Sequence, residues 1–331
     1  MKYYIAVDVG ATNTRIALCS ESKVLDKVVE PTPRSGNEYT IAEFIARKIE
    51  EKWGEFLNRV ESIGVGTIGP LDIKRGIVVS AANLPIRTFH LLEPLVKRFK
   101  KPVYVANDAV SAAWGEKHYG AGVGYENLVY VTLSTGIGVG VVVDGHLLLG
   151  KMGNAHEAGH LVVNFESELP CGCGGRGHWE SYAGGANLPR VARYVYEKTG
   201  VKTELAELIA SGREVTAKTI FDYYRRGDEL ARRVVELFLK ATAAGLASVI
   251  NAYDPEVLIL GGSVFLSNVD ILYEKIVELV RENVVTEMPV IKPTSFGDDV
   301  GLYGALAIAA HTPSALKKVQ DPLIAKLLSG K

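Results

Sequence analysis

Two short turns in this chain have the composition of an anion cradle. Gly10-Ala11-Thr12-Asn13-Thr14 follows one apolar run, and Ser134-Thr135-Gly136-Ile137-Gly138 follows another. In each, small side chains let backbone N–H groups approach a phosphate, and hydroxyls add donors. Asp8, just ahead of the first turn, is placed to hold a hydrated Mg2+ on those phosphates. Gly261-Gly262, after a further apolar run, leaves room for a flat base against backbone. Asn107-Asp108 sets a carboxylate beside an amide where a strand meets a helix. Phosphoryl transfer to an alcohol needs such a base beside the acceptor, and positioning outweighs strong basicity because the transition state is loose. The competing role for Asp108 is a helix N-cap. The last group is CGCGGRGHWE, Cys171 to Glu180, with HEAGH (His156 to His160) eleven residues upstream of Cys171. From its residues alone, CGCGGRGHWE is open between a metal knuckle, a phosphate loop and a tight turn.

The elements that must position these residues are legible in the hydrophobic pattern. YYIAVDV (3–9), RIALCS, KVLDKVVE, ESIGVGTIG and PVYVANDAV read as strands, several ending in glycine or polar turns. Between Tyr39 and Leu57 apolar residues recur at helical spacing. SAAWGEKHYG is a helix stopped by Gly120. Residues 127–150 then repeat the opening pattern of strand, small-residue turn and returning strand. A shift of 124 residues places Thr132 on Asp8, Ser134 on Gly10 and Gly136 on Thr12, which implies a duplicated hairpin unit. Beyond this the chain is mainly helical: Ala186–Lys198, the long Asp228–Ala252, and Asn268–Val280 after the strand EVLILGG. GLYGALAIAA is a helix of small residues suited to close packing, and the last twenty residues, with Pro313 and Pro322, read as a surface appendage. The strand–helix alternation, occurring twice, predicts two α/β domains around a cleft.

Composition excludes several classes. A chain of 331 residues with 47% hydrophobic and 23% charged residues suits about two globular domains. A net charge of −1 provides no electrostatic footprint for nucleic acid or an anionic membrane. Three cysteines make no disulfide framework and favour a reducing compartment, so a cytoplasmic location is expected. The single glutamine, Gln320, amid many Glu, Lys and Arg is a composition seen in heat-adapted chains. Two G-x-G-x-x-G matches, at Gly64-Gly66-Gly69 and Gly172-Gly174-Gly177, lack the strand–turn–helix setting of a dinucleotide site, and no P-loop motif occurs. HEAGH matches the zinc-protease pattern H-E-x-x-H. Gly153 and Gly159 weaken the helix that pattern requires, and LVVNF after His160 has strand character.

Taken in order, DVGATNTR, GVGTIGPLD, ANLP, VANDA, STGIGVG, HEAGH, CGCGGRGHWE and LGGS resemble the ROK family, sugar kinases and related repressors of the actin-like ATPase superfamily. The resemblance covers about residues 3–310. It implies a two-domain actin-like (ribonuclease H-like) α/β fold with a cleft. Residues 1–108 plus about 300–331 would form the small domain, and 109–299 the large one, with a zinc-knuckle-like insertion at 156–180. It implies ATP-dependent phosphorylation of a hexose, glucose first, at the 6-hydroxyl. N-acetylmannosamine, N-acetylglucosamine or fructose are the alternative substrates. Asp108 would be the base, with Gly66, Thr67, Asn83, Asn107, Glu157, His160 and Glu180 around the sugar. Asp8, Gly10, Thr12, Asn13, Thr14, Thr135, Gly136, Gly261 and Gly262 would meet Mg-ATP. Family members hold zinc with the His of E-x-G-H and three cysteines. Here His178 stands at the third cysteine position, so the set is His160, Cys171, Cys173 and His178, a sound tetrahedral combination. A homodimer is expected. Family repressors carry a helix-turn-helix ahead of the first strand. This chain enters its first strand by Tyr3, so no nucleic-acid partner is expected.

Overall fold

The structure, a computed structural model, describes residues 2–81 and 84–330. In chain order the strands are β1 (Tyr3–Val9), β2 (Asn13–Cys19), β3 (Val24–Pro31), β4 (Val60–Thr67), β5 (Leu71–Asp72), β6 (Ile77–Val78), β7 (Phe89–His90), β8 (Val103–Asn107), β9 (Leu128–Leu133), β10 (Ile137–Val143), β11 (His146–Leu147), β12 (Val257–Gly261) and β13 (Val290–Pro293). The helices are α1 (Thr40–Trp53), α2 (Leu92–Phe99), α3 (Asp108–Tyr119), α4 (Trp179–Ala183), α5 (Leu188–Thr199), α6 (Glu204–Ala210), α7 (Ala217–Arg225), α8 (Glu229–Tyr253), α9 (Ser263–Leu266), α10 (Val269–Arg281), α11 (Val300–Ala310) and α12 (Ser314–Leu328).

The duplication inferred from the hairpins extends to whole sheets. One five-stranded sheet has the order β3-β2-β1-β4-β8 and the other β11-β10-β9-β12-β13, the same topology strand for strand. In both, an antiparallel hairpin unit leads into parallel pairs, with β1 parallel to β4, β4 to β8, and β12 to β13. β1 is buried along its whole length because helices cover both faces of its sheet, which is why it reads as a continuous apolar run.

Two compact units divide the chain. The first comprises Met1–Tyr130, Gly140–His156 and Thr294–Lys331; the second comprises Val131–Val139 and Glu157–Pro293. This differs from the boundary drawn at residue 108 from the sequence. The reason is α3, which crosses α11 in backbone contact: a Cβ on Gly115 would stand 2.7 Å from the Gly304 nitrogen. α11 in turn lies on the first sheet, its Leu302, Ala305, Leu306 and Ala309 packed with Tyr4, Ala6, Ala17 and Cys19. The small-residue helix foreseen at GLYGALAIAA is therefore the piece that ties α3 to the first unit.

The expectation for the C-terminus is corrected. Instead of a surface appendage, residues 314–328 form α12, with Leu316, Gln320 and Ile324 buried. The amide of Gln320 bonds to backbone of β8, which no composition argument could foresee. In the second unit α8 is long and apolar enough in composition to cross a membrane, but 67% of that apolar window is buried, as in a core helix. Trp179 of α4 lies fully buried against it, its ring flush with Gly245 and its Nε1 donating to Thr242 Oγ1 at 3.4 Å.

Candidate active site

In the first unit the candidate residues gather at the C-terminal ends of three neighbouring strands. Register sets Asp8 beside Gly66, Val9 beside Thr67, and Thr67 beside Asn107. Carboxyl ends of parallel strands are where open α/β sheets bind ligands. Asp8 is buried, and its carboxyl is pushed up by that burial while Arg15 opposes the rise. The Arg15 guanidinium donates to Asp8 Oδ2 at 3.1 Å, because the β1–β2 hairpin pairs the two residues directly.

The 10–14 turn closes through Gly10 N–H to the Asn13 carbonyl at 3.0 Å. Thr32 braces it, donating from Oγ1 to the Gly10 carbonyl at 2.8 Å while its N–H bonds the Thr12 carbonyl. Thr14 is buried with its hydroxyl 2.9 Å from that of Thr32, so it stands behind the turn, and Thr12 is the exposed hydroxyl.

The Asn107–Asp108 pair divides its roles. Asn107 is the N-cap of α3, its Oδ1 accepting from the N–H groups of Ala109 (2.9 Å) and Val110 (3.3 Å). Its amide NH2 keeps its donors for other partners. Asp108 is the first helical residue, half-buried, with Oδ1 accepting from Ala109 N–H at 2.8 Å. The cap role considered for Asp108 thus falls to its neighbour, and the Asp108 carboxylate sits where the helix dipole favours negative charge. Thr67 is fully buried, and its Oγ1 has no hydrogen-bond partner among the described residues. Asn83, expected to hold the sugar, lies outside the described residues.

In the second unit the 134–138 turn is pinned from three sides. The Ser134 hydroxyl lies 3.1 Å from that of Ser263, and the Ser134 and Thr135 carbonyls accept from Gly185 and Ala186. Two of its N–H groups are already engaged: Ser134 with the Gly136 carbonyl at 3.0 Å, and Ile137 with Glu180 Oε2 at 2.8 Å. Thr135 is exposed at the tip. The Glu180 carboxylate lies so close to the turn that a Cβ on Gly136 would come within 2.5 Å of Oε2, which gives this glycine a steric reason. Gly261 ends β12 in the core, and Gly262 starts α9 at φ +89°.

HEAGH is not an α-helix. Ala158–His160 is a single 3-10 turn, and buried His156 places Nε2 2.8 Å from the Gly153 carbonyl, so the protease geometry is absent. The remaining histidine joins the knuckle. Ligand atoms of His160, Cys171, Cys173 and His178 all lie within 4.8 Å of one another. Cys171 Sγ is 3.6 Å from His160 Nδ1, and Cys173 Sγ is 3.3 Å from His178 Nδ1. Tetrahedral zinc, with its usual bond lengths, needs sulfur–nitrogen edges of about 3.6 Å, so the donor set fits that ion. Burial above all, and then His160, lowers the pKa of His178 and favours the neutral ring that a metal requires. With Nδ1 turned to the cysteines, His160 directs Nε2 toward Glu157 Oε2 at 3.6 Å. The ring therefore lies between the His/Cys cluster and the Glu157 carboxylate. Glu180 is linked to the same knuckle, Cys171 Sγ lying 3.8 Å from its Oε1.

Sequence reasoning did not single out Arg15, Thr32 or Ser263. For Arg15 a signal existed: in a hairpin closed at Gly10–Asn13, residue 15 pairs with residue 8.

Duplicated sheets of this topology, with acidic residues at the strand ends and small polar turns, define the actin-like ATPase fold of sugar kinases. The ROK family model matches residues 4–312, and the chain belongs to the ROK family. The chain is 43% identical to a glucokinase of Pyrobaculum calidifontis, over 97% of this chain and 100% of that protein. Among solved structures, a ROK hexokinase from Thermus thermophilus superposes with a TM-score of 0.81 at 35% identity, covering 93% of this chain and 97% of that one. A ROK family glucokinase from Streptomyces griseus, in complex with glucose and AMPPNP, has a TM-score of 0.71 at 30% identity, covering 93% and 99%.

Proposed function

We propose that this protein is an ATP-dependent hexokinase of the glucokinase type, transferring the γ-phosphoryl group of ATP to the 6-hydroxyl of glucose. The observation that carries the reading is full-length similarity to glucokinases combined with a carboxylate, Asp108, at the N-terminus of α3 beside the ends of β4 and β8. Asp108 accepts the proton of the sugar hydroxyl as its oxygen bonds to the γ-phosphorus, ADP departs, and the proton later passes to solvent. Asn107 donates its amide hydrogens to sugar oxygens while its carbonyl holds the helix. Gly66, Thr67, Asn83, Glu157, His160 and Glu180 complete the sugar's hydrogen bonding. Asp8, Gly10, Thr12, Asn13, Thr135 and Gly136 bind the triphosphate side, with Thr14 as support and Gly261-Gly262 beside the base. Mg2+, held through Asp8, would neutralise charge on the phosphates. The same reading includes a homodimer. Incubation with a panel of hexoses and MgATP, with the phosphate position read by NMR, tests it: glucose 6-phosphate is expected as the main product. Preferential phosphorylation of an N-acetylhexosamine would overturn the glucose reading and keep the kinase.

Zinc belongs to the same proposal as a structural ion held by His160, Cys171, Cys173 and His178, with no position left for chemistry. Its work would be to aim Glu180 and His160. Metal analysis is expected to find about one zinc per chain. Cys173→Ser, at an exposed position, removes a ligand outright and is expected to weaken zinc binding by more than the about 10- to 100-fold that loss of an outer-shell partner costs, and to raise the KM for glucose more than that for ATP. A metal-free native enzyme of full activity would remove zinc from the account.

A further inference from the structure

The one glutamine of the chain is fully buried and makes three hydrogen bonds to backbone. Gln320 Oε1 accepts from Val105 N–H at 3.0 Å, and its Nε2 donates to the carbonyls of Val105 at 2.8 Å and of Ile73 at 2.7 Å. β8 is the last strand of its sheet, paired with β4 on one side only. In a strand the N–H and C=O of one residue point the same way, and alternate residues point to opposite sides. Val105 therefore turns both groups toward the open edge. There the glutamine amide, with one donor and one acceptor in the right order, replaces the peptide of a missing strand. Left unmet in a buried place, each group would carry a substantial desolvation cost. The next residue of α12 adds a second grip, with Tyr104 O–H donating to Asp321 Oδ1 at 2.9 Å. The third hydrogen bond ties the same amide to the loop after β5.

What this edge carries gives the contact its meaning. Two residues beyond Val105 lies Asn107, which caps α3, and next comes Asp108. We infer that Gln320 is a positioning residue for Asp108: α12 sets the height of β8 against its sheet, and so the place of the carboxylate at the strand end. The inference rests on Asp108 being the base. Gln320 itself touches no substrate, so its removal acts on the turnover step through the strand, and misplacement of a reacting group by a fraction of an ångström is costly.

The test is a double-mutant cycle on the full-length enzyme, at temperatures where unfolding curves show each variant folded. Gln320→Leu is expected to lower kcat by about 10- to 100-fold while the KM values for glucose and MgATP change by less than about threefold. In the Asp108→Asn background the same change is expected to cost less than about twofold, because the group it positions is already gone. Gln320→Glu keeps the acceptor for Val105 N–H and, protonated in this buried place, can make only one of the two donations, so an intermediate kcat is expected. Should the leucine variant not fold, Gln320→Glu and Tyr104→Phe carry the same cycle. A kcat within twofold of wild type in the folded variants, or losses that multiply with Asp108→Asn, would overturn the positioning role. Full turnover by Asp108→Asn alone would instead overturn the assignment of the base, whatever Gln320 does.

Discussion

Asp108→Asn is expected to lower kcat by about 100- to 10,000-fold, with the KM for glucose little changed, in an assay that couples ADP release to a chromophore. The substitution keeps the shape of the side chain and its oxygen acceptor for Ala109 N–H, so α3 should start as before. What it removes is the proposed proton acceptor and the negative charge. A loose transition state asks little nucleophilic help early, but the proton must still leave the sugar oxygen as phosphorus binds it. The carboxylate sits in the favourable field of the α3 N-terminus, whose loss costs about 0.3–1 kcal/mol of stability. That is too small to unfold the protein, so a fall in kcat would report on chemistry. Wild-type turnover in the variant would require another base.

Gly304→Ala should have the largest effect on stability, and its sign is diagnostic. In an isolated helix, alanine for glycine stabilises by about 1 kcal/mol. Here the new methyl would meet α3 backbone, 2.5 Å from the Ser111 carbonyl carbon and 2.7 Å from the Ala112 nitrogen. Neither can move without shifting its helix. α11 is confined on its other side too, since a Cβ on Gly64 of β4 would overlap the Ala305 carbonyl. The strain of overpacking a close-packed core, about 1–3 kcal/mol or more, exceeds the gain in propensity. A lower denaturation midpoint in urea is therefore expected. Because α3 begins with Asp108, reduced kcat should accompany it. A raised midpoint would show that the helices do not cross at the distance described.

Much of the site was legible because it is local chemistry. An Asn-Asp pair after VYVA, and small-residue turns after apolar strands, declare strand ends with polar groups. The His and Cys set came instead from the resemblance to the ROK family, since the spacing of CGCGGRGHWE alone left a metal knuckle, a phosphate loop and a tight turn open. The long-range partners were not legible. Glu180 meets Ile137 N–H across 43 residues, and Gln320 meets Val105 across 215. A lone glutamine near a C-terminus carries no pattern that marks it as a surrogate strand. Prolines at 313 and 322 argued for a surface appendage, yet Pro322 lies inside α12, where burial of Leu316, Gln320 and Ile324 outweighs the lost helix bond.

By itself, then, the sequence determined the hairpin units and their repetition, the small-residue polar turns at strand ends and the carboxylate at the strand–helix junction. These depend on neighbours within a few residues, where backbone sterics and periodicity act directly. The tertiary structure alone decided that α3 crosses α11 in backbone contact, and that Thr32 braces the 10–14 turn. It also decided that Glu180 rests on the 134–138 turn, and that α12 closes the edge of β8. Each of these is a choice among partners far apart in sequence. Burial forces it, because every polar group taken out of water must find a partner wherever the chain brings one.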